Sequence, residues 1–141
     1  MWSMRKLDIK SRALIIRLLV EGNSIRATSR IADVSKNTVT KLLEDAGKAC
    51  AQYHDENVKG VEAKHVQADE IWSFCYAKAK NVETAKAAPS DAGDIWTWTA
   101  MDRDSKLMIS YTIGDRSGAT AREFMFDLAS RVANRIQLTT D

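Results

Sequence analysis

One stretch constrains this chain more than any other: Val66-Gln67-Ala68-Asp69-Glu70-Ile71-Trp72-Ser73-Phe74. β-Branched and aromatic residues dominate it, and Val66, Ala68, Trp72 and Phe74 share one face by period-two alternation, which predicts a β-strand. Two adjacent acids sit at its centre. Successive side chains of a strand point to opposite faces, so either Asp69 or Glu70 faces the side where a core or a cleft belongs. Carboxylates are depleted in strands and costly to bury unless paired or bound to a cation. Two readings follow from this stretch alone: an edge strand with a solvated acid, or a metal-binding carboxylate.

The residues before it read as helices. Asp8 can cap a helix from Ile9 to about Val20, with Leu14, Ile15, Leu18 and Leu19 as its apolar stripe. Gly22 follows in the usual position after a helix. Ser24 caps a second helix, Ile25 to about Ile31, with Ala27 and Ile31 on one face. Ala32-Asp33-Val34 makes a tight connection. Ser35 caps a third helix, Lys36 to about Ala46, with an inner face of Val39, Leu42, Leu43 and Ala46. Two short helices joined by such a turn match a helix-turn-helix. The outer face of the third helix carries Lys36, Asn37, Thr38, Thr40 and Lys41, residue types that read base edges or hold phosphates. Arg26 and Arg30 on the second helix can grip a DNA backbone. The bland alternative is a three-helix bundle with a solvated polar face.

Charge separates the two ends. Residues 1–48 hold ten Lys or Arg against five Asp or Glu, whereas residues 65–141 hold nine against eleven. A basic front and a slightly acidic back predict two modules: a DNA-binding domain over 1–48, a helical linker over 49–64, and a second domain over 65–141. The content of apolar residues, 45%, is that of a globular chain. Residues 1–20 are interrupted by Arg5, Lys6, Lys10, Arg12 and Arg17, so they read as neither signal peptide nor membrane span. No membrane partner and a reducing, cytoplasmic setting are the expectations. Cys50 and His54 have half of a zinc-site spacing without a second pair at a fitting distance, and a structural role is expected for both cysteines.

The second domain reads strand, strand, strand, helix, strand. Lys78 to Asp94 is a long hairpin loop. Strands follow at Ile95–Met101 and, after the turn Asp102-Arg103-Asp104-Ser105, at Leu107–Ile113, with Leu107, Ile109, Tyr111 and Ile113 alternating against Met108, Ser110 and Thr112. Ser117 or Thr120 caps a helix to about Ala133 that carries Met125, Leu128, Ala129 and Val132 at helical spacing. A last strand over Ile136–Thr140 runs into Asp141. A right-handed crossover lays that strand parallel to a neighbour. If the neighbour is the first strand, Asp141 comes close to Asp69. Two carboxylates so placed repel unless a cation intervenes, and Mg²⁺ is the natural one. Trp72, Trp96 and Trp98 are expected to pack in the core or on a sheet face.

The run Asp69-Glu70-Ile71-Trp72, the segment Asp94-Ile95-Trp96-Thr97-Trp98-Thr99-Ala100-Met101-Asp102 and the closing Leu138-Thr139-Thr140-Asp141 resemble bacterial transposases of the insertion sequence 1 type. The front end, around Arg26-Ala27-Thr28-Ser29-Arg30 and Asn37-Thr38-Val39-Thr40-Lys41-Leu42-Leu43, is similar too. The resemblance spans essentially the whole chain. It implies an α+β protein: a helix-turn-helix followed by the β-β-β-α-β part of a ribonuclease H-like mixed sheet. It also implies a site of two aspartates and a glutamate that uses Mg²⁺ or Mn²⁺. Asp69 matches the first aspartate and Asp141 the second, as catalytic and metal-binding residues; Glu70 matches no ligand of the family. The family's glutamate follows on a later helix and has no counterpart here, so the expectation is a partial transposase that does not transpose DNA alone. Its expected partners are DNA at element ends and a second copy or a full-length transposase. The rival expectation is a non-enzymatic DNA-binding regulator that occupies those ends as a repressor.

Overall fold

Side-chain oxygens start the helices where the sequence puts them. In the computed structural model, which describes residues 7–140, α1 (Ile9–Val20) begins behind Asp8, whose carboxylate accepts the Ser11 N–H at 2.8 Å. It ends on Gly22, at φ 81°, with the Gly22 and Asn23 N–H groups donating to the Leu19 and Leu18 carbonyls at 3.0 and 3.1 Å. That double bond satisfies carbonyls the helix would otherwise leave unpaired. α2 (Ile25–Ile31) starts behind Ser24, whose hydroxyl accepts the Ala27 N–H at 3.1 Å. Asp33 then takes a left-handed φ of 50°, a conformation that a short polar side chain tolerates better than most. The Ser29 hydroxyl ties the turn by donating to the Val34 carbonyl at 2.6 Å. α3 (Lys36–Asn57) opens behind Ser35, whose hydroxyl accepts the Thr38 N–H at 3.1 Å.

Each of these helices contributes one fully buried side chain: Ile15, Thr28 and Val39. Leu14, Ile31 and Leu43, expected on inner faces, are exposed instead, and Ala27 is only half-buried. Seven-residue α2 turns Thr28 inward, a polar residue that a search for apolar spacing passes over.

α3 is eleven residues longer than the third helix expected to stop near Ala46. Asp55, Glu56 and Asn57, read as linker, form its last turn. Ala46, Ala49, Ala51, Gln52 and Glu56 are good helix formers, and their polar neighbours report exposure, not a loop. The chain divides into two compact units between Asn57 and Val58.

The second unit holds β1 (His65–Cys75), β2 (Gly93–Asp102), β3 (Met108–Gly114), α4 (Gly118–Arg131) and β4 (Gln137–Thr140). The strands make one mixed sheet in the order β3-β2-β1-β4, with β1–β2 and β2–β3 antiparallel and β1–β4 parallel. With the helices this is an α+β chain. The Ser117 hydroxyl caps α4 by accepting the Thr120 N–H at 3.3 Å. Val66, Ala100, Ile109, Phe124 and Leu128 form the buried core, with Ala63 from the segment leading into β1. α4 reaches the core through Phe124 and Leu128, one turn apart, while the expected Met125 and Ala129 are exposed.

The third strand does not alternate as its sequence suggests. A register shift between Ala100 and Met101 leaves consecutive residues Ile109 and Ser110 both buried, while Tyr111 and Ile113 are exposed. A bulge inserts one residue into the pairing and so reverses the inward set beyond it. Buried Ser110 is satisfied by donating to the Asp127 carboxylate at 2.5 Å. Trp72, expected in the core or on a sheet face, and Phe74 on the same strand face are exposed on the sheet; among the described residues β3 pairs with β2 only as far as Trp96 and β4 with β1 only as far as Ala68. Beyond these points the β1–β2 hairpin is two strands wide.

β4 is set against β1 by contacts made before either strand begins. Val61 and Val132 bridge in parallel, with N–H bonds from Val61 to the Arg131 carbonyl at 2.8 Å and from Ala133 to the Val61 carbonyl at 2.9 Å. The Asn134 amide then holds the Ala63 backbone twice, accepting its N–H at 3.2 Å and donating to its carbonyl at 2.7 Å. The register that follows is His65↔Gln137 through Ala68↔Thr140. No helix among the described residues is long and apolar enough to cross a membrane. The paired use of one amide predicts that Asn134→Ala lowers unfolding free energy by about 1–2 kcal/mol, read by urea denaturation. An unchanged midpoint would show that β4 docks without this clamp.

Candidate functional site

β-Strand alternation divides the two central acids of β1. Glu70 lies on the face of Val66 and Ala68, half-buried, and Asp69 on the opposite face, exposed. Among the described residues the parallel ladder runs from His65↔Gln137 to Ala68↔Thr140. In the sequence an acid directly follows each member of that last pair: Asp69 after Ala68 and Asp141 after Thr140. Asp141 itself lies outside the described residues.

Asp69 and Thr140 border clefts on both faces of the sheet. One, of about 280 Å³, is lined by Asp69, Glu70, Trp98, Ala121, Met125 and Thr140. The other, of about 400 Å³, is lined by Gln67, Asp69, Thr99, Met101, Thr139 and Thr140. The Asp69 carboxylate accepts the Glu70 N–H at 2.8 Å, and no ion pair to it forms among the described residues. A hard oxygen donor on an exposed rim suits Mg²⁺ or Mn²⁺ better than a soft metal. Among the described residues no group of three or more His, Cys, Asp or Glu stands together. Asp69 is therefore the one expected ligand whose surroundings are defined.

Glu70 has a partner that no sequence spacing announces. Arg116, on the loop between β3 and α4, approaches its carboxylate at 3.8 Å and lies 4.9 Å above the Trp96 ring. Beside it, Trp98 donates its indole N–H to the Asp115 carbonyl at 3.1 Å and packs on Phe124 with ring centroids 5.9 Å apart. The Asp115 carboxylate accepts from the hydroxyls of Ser117 and Thr120, which hold its pKa below the usual carboxylate range. These contacts join residues 46 positions apart in sequence through two strand pairings, which is why local pattern misses them.

In the helical unit, Arg26 and Arg30 are exposed on α2, and Lys36, Asn37, Thr40 and Lys41 are exposed on the first two turns of α3. Thr38 is half-buried and its hydroxyl is shared with Ser35 at 2.9 Å, so it serves the cap. The Thr40 hydroxyl donates to the Lys36 carbonyl at 3.1 Å, and Lys41 pairs with Asp45 at 3.3 Å across one turn. An exposed i,i+4 pair is weak, so Lys41 can exchange Asp45 for a phosphate at little cost.

Compared with protein-family models and with curated proteins, the chain matches none.

The lowered pKa of Asp115 fixes a sign. Its stabilisation is complete above the unfolded value of about 4 and is lost as pH falls through the lower folded value. Asp115→Asn should therefore flatten the fall in thermal midpoint below about pH 4. A variant with the same acid slope as the parent would place the sensitivity in other carboxylates.

Proposed function

We propose that this chain is a DNA-binding protein of the transposase kind, which combines a helix-turn-helix with part of a ribonuclease H-like, metal-dependent phosphodiester site. The observation that carries the reading is the parallel register of β4 on β1, which among the described residues runs to Ala68↔Thr140, while the sequence places Asp69 and Asp141 directly after that pair. The strand order and the α4 crossover agree with that fold. The resemblance to insertion sequence 1 transposases supports the same assignment, and the basic front with its exposed polar start of α3 supports DNA as partner.

In this reading Asp69 and Asp141 share Mg²⁺ or Mn²⁺. Such an ion supplies Lewis-acid stabilisation to the oxygens of a phosphodiester under in-line attack. Asp69 contributes a carboxylate that is already oriented by the Glu70 N–H. Asn37 reads a base edge, while Lys36, Lys41, Arg26 and Arg30 hold the backbone. A third carboxylate in the family pattern has no match among these residues. As a regulator, the same chain would occupy element ends through residues 24–46 without chemistry.

Duplex affinity measured against salt tests the DNA reading. Asn37→Ala should cost about 1–3 kcal/mol on the preferred site, and Lys36→Ala or Lys41→Ala should each lower the salt slope by about 1. Asp69→Ala should leave duplex affinity intact and remove any strand cleavage seen with a full-length partner present. Unaltered affinity in all three helical variants would refute the interface. Cleavage unaffected by Asp69→Ala would leave the regulator reading in its place.

A further inference from the structure

The hairpin arm beyond Ala68 and Gly114 carries aromatic surface that the core does not use. On the Glu70 face, Trp72 and Phe74 of β1 stand exposed, with ring centroids 5.7 Å apart, and Trp96 of β2 is the cross-strand partner of Trp72. Trp98, the next aromatic inward, is anchored on Phe124 and by its bond to Asp115, so the exposed set begins where packing on α4 ends. Exposed apolar clusters of this kind mark binding surfaces more often than accident.

Cations sit on the same surface. The Lys78 ammonium lies 5.0 Å from the Trp72 ring centre, and the Arg116 guanidinium lies 4.9 Å from that of Trp96. The loop adds Lys80 and Lys86 against Glu83 and Asp91. The two acids on this face are both engaged: Glu70 with Arg116, and Asp94 as acceptor of the Ala79 N–H at 2.9 Å. Flat π-faces interleaved with cations suit a ligand that alternates planar rings with anions. A duplex hides its base faces, and an apolar peptide offers no anion to Lys78. Unpaired nucleotides satisfy both.

We propose that Trp72, Phe74 and Trp96, with Lys78 and Arg116, form a stacking platform for the bases of a single DNA strand. Glu70 is two residues from Trp72 on the same strand face and lines the Asp69 cleft, so a strand held on the platform leads its backbone towards that cleft. The platform deepens the proposed function by naming unpaired DNA as the form of substrate, and its purpose rests on that reading. Its binding does not, because it needs neither the ion nor the helical unit.

The test uses the full chain and fluorescein-labelled oligothymidylate of about ten nucleotides, a length within one single-strand site. Binding is followed by anisotropy and by quenching of tryptophan emission, without divalent metal. Trp72→Ala and Phe74→Ala should each weaken binding by about 5- to 150-fold, whereas Trp72→Tyr should retain most of it. Arg116→Ala should reduce the salt dependence. Lys36→Ala with Asn37→Ala should weaken duplex binding and leave oligothymidylate affinity unchanged, so the two readings fail separately. Absence of single-strand binding overturns the platform. So does binding that Trp72→Tyr, Trp72→Ala and Arg116→Ala all leave untouched, or that only the helical variants remove. Should Trp72→Ala fail to fold, the affinity of Phe74→Ala and the salt dependence of Arg116→Ala decide the matter, and parent-like values in both overturn the platform.

Discussion

The parallel seating of β4 on β1 is the constraint on which the second unit depends. Parallel pairing leaves no hairpin turn to set its register, because the strands are joined by a crossover. Here the register is set before the strands start, by the Val61–Val132 bridge and by Asn134 closing on both backbone groups of Ala63. A slip of one residue would turn Leu138, packed at the core, towards the opposite face. It would also shift Thr140 off its pairing with Ala68 beside Asp69. The same few hydrogen bonds therefore serve the core and the proposed ion site together.

Several parts of this architecture were legible because their causes are local. Asp8, Ser24 and Ser35 cap helices through bonds that span three residues, and Ser117 does the same for α4. The alternation around Val66 and Ala68 marked β1 for the same reason. What stayed hidden depends on pairings across the sheet. The bulge opposite Ala100/Met101, where Ile109 of β3 is the extra residue, leaves Ser110 buried and Tyr111 exposed, and the alternating β3 sequence does not mark where its pairing with β2 shifts. The Glu70–Arg116 pair likewise exists only once three strands are aligned. The end of α3 was missed for a different reason: exposed polar residues suit a solvated helix as well as a linker.

Polar groups inside the sheet unit are answered at one oxygen at least, although Oδ1 of Asp102 is buried without a hydrogen-bond partner among the described residues. Asp102 is only 6% exposed, yet its carboxylate accepts from the Ser105 hydroxyl and N–H, and these hold its pKa below the usual range. The same bonds close the turn from β2 into β3. Asp127 is shared in the same way between Ser110 and Arg131, whose guanidinium approaches it at 2.8 Å. Asp69 differs from both. Its carboxylate has one backbone donor from its own neighbour and stands on an exposed rim, which leaves oxygen capacity for an ion.

That contrast makes Mn²⁺ the most direct probe of the account. Added to the isotopically labelled full chain, it should broaden backbone amide NMR signals around Asp69 and around Thr140 together. Asp69→Asn and Asp141→Asn should each abolish the effect, with the remaining spectrum unchanged. Broadening centred elsewhere, or surviving both substitutions, would contradict a shared carboxylate site at the end of the parallel ladder.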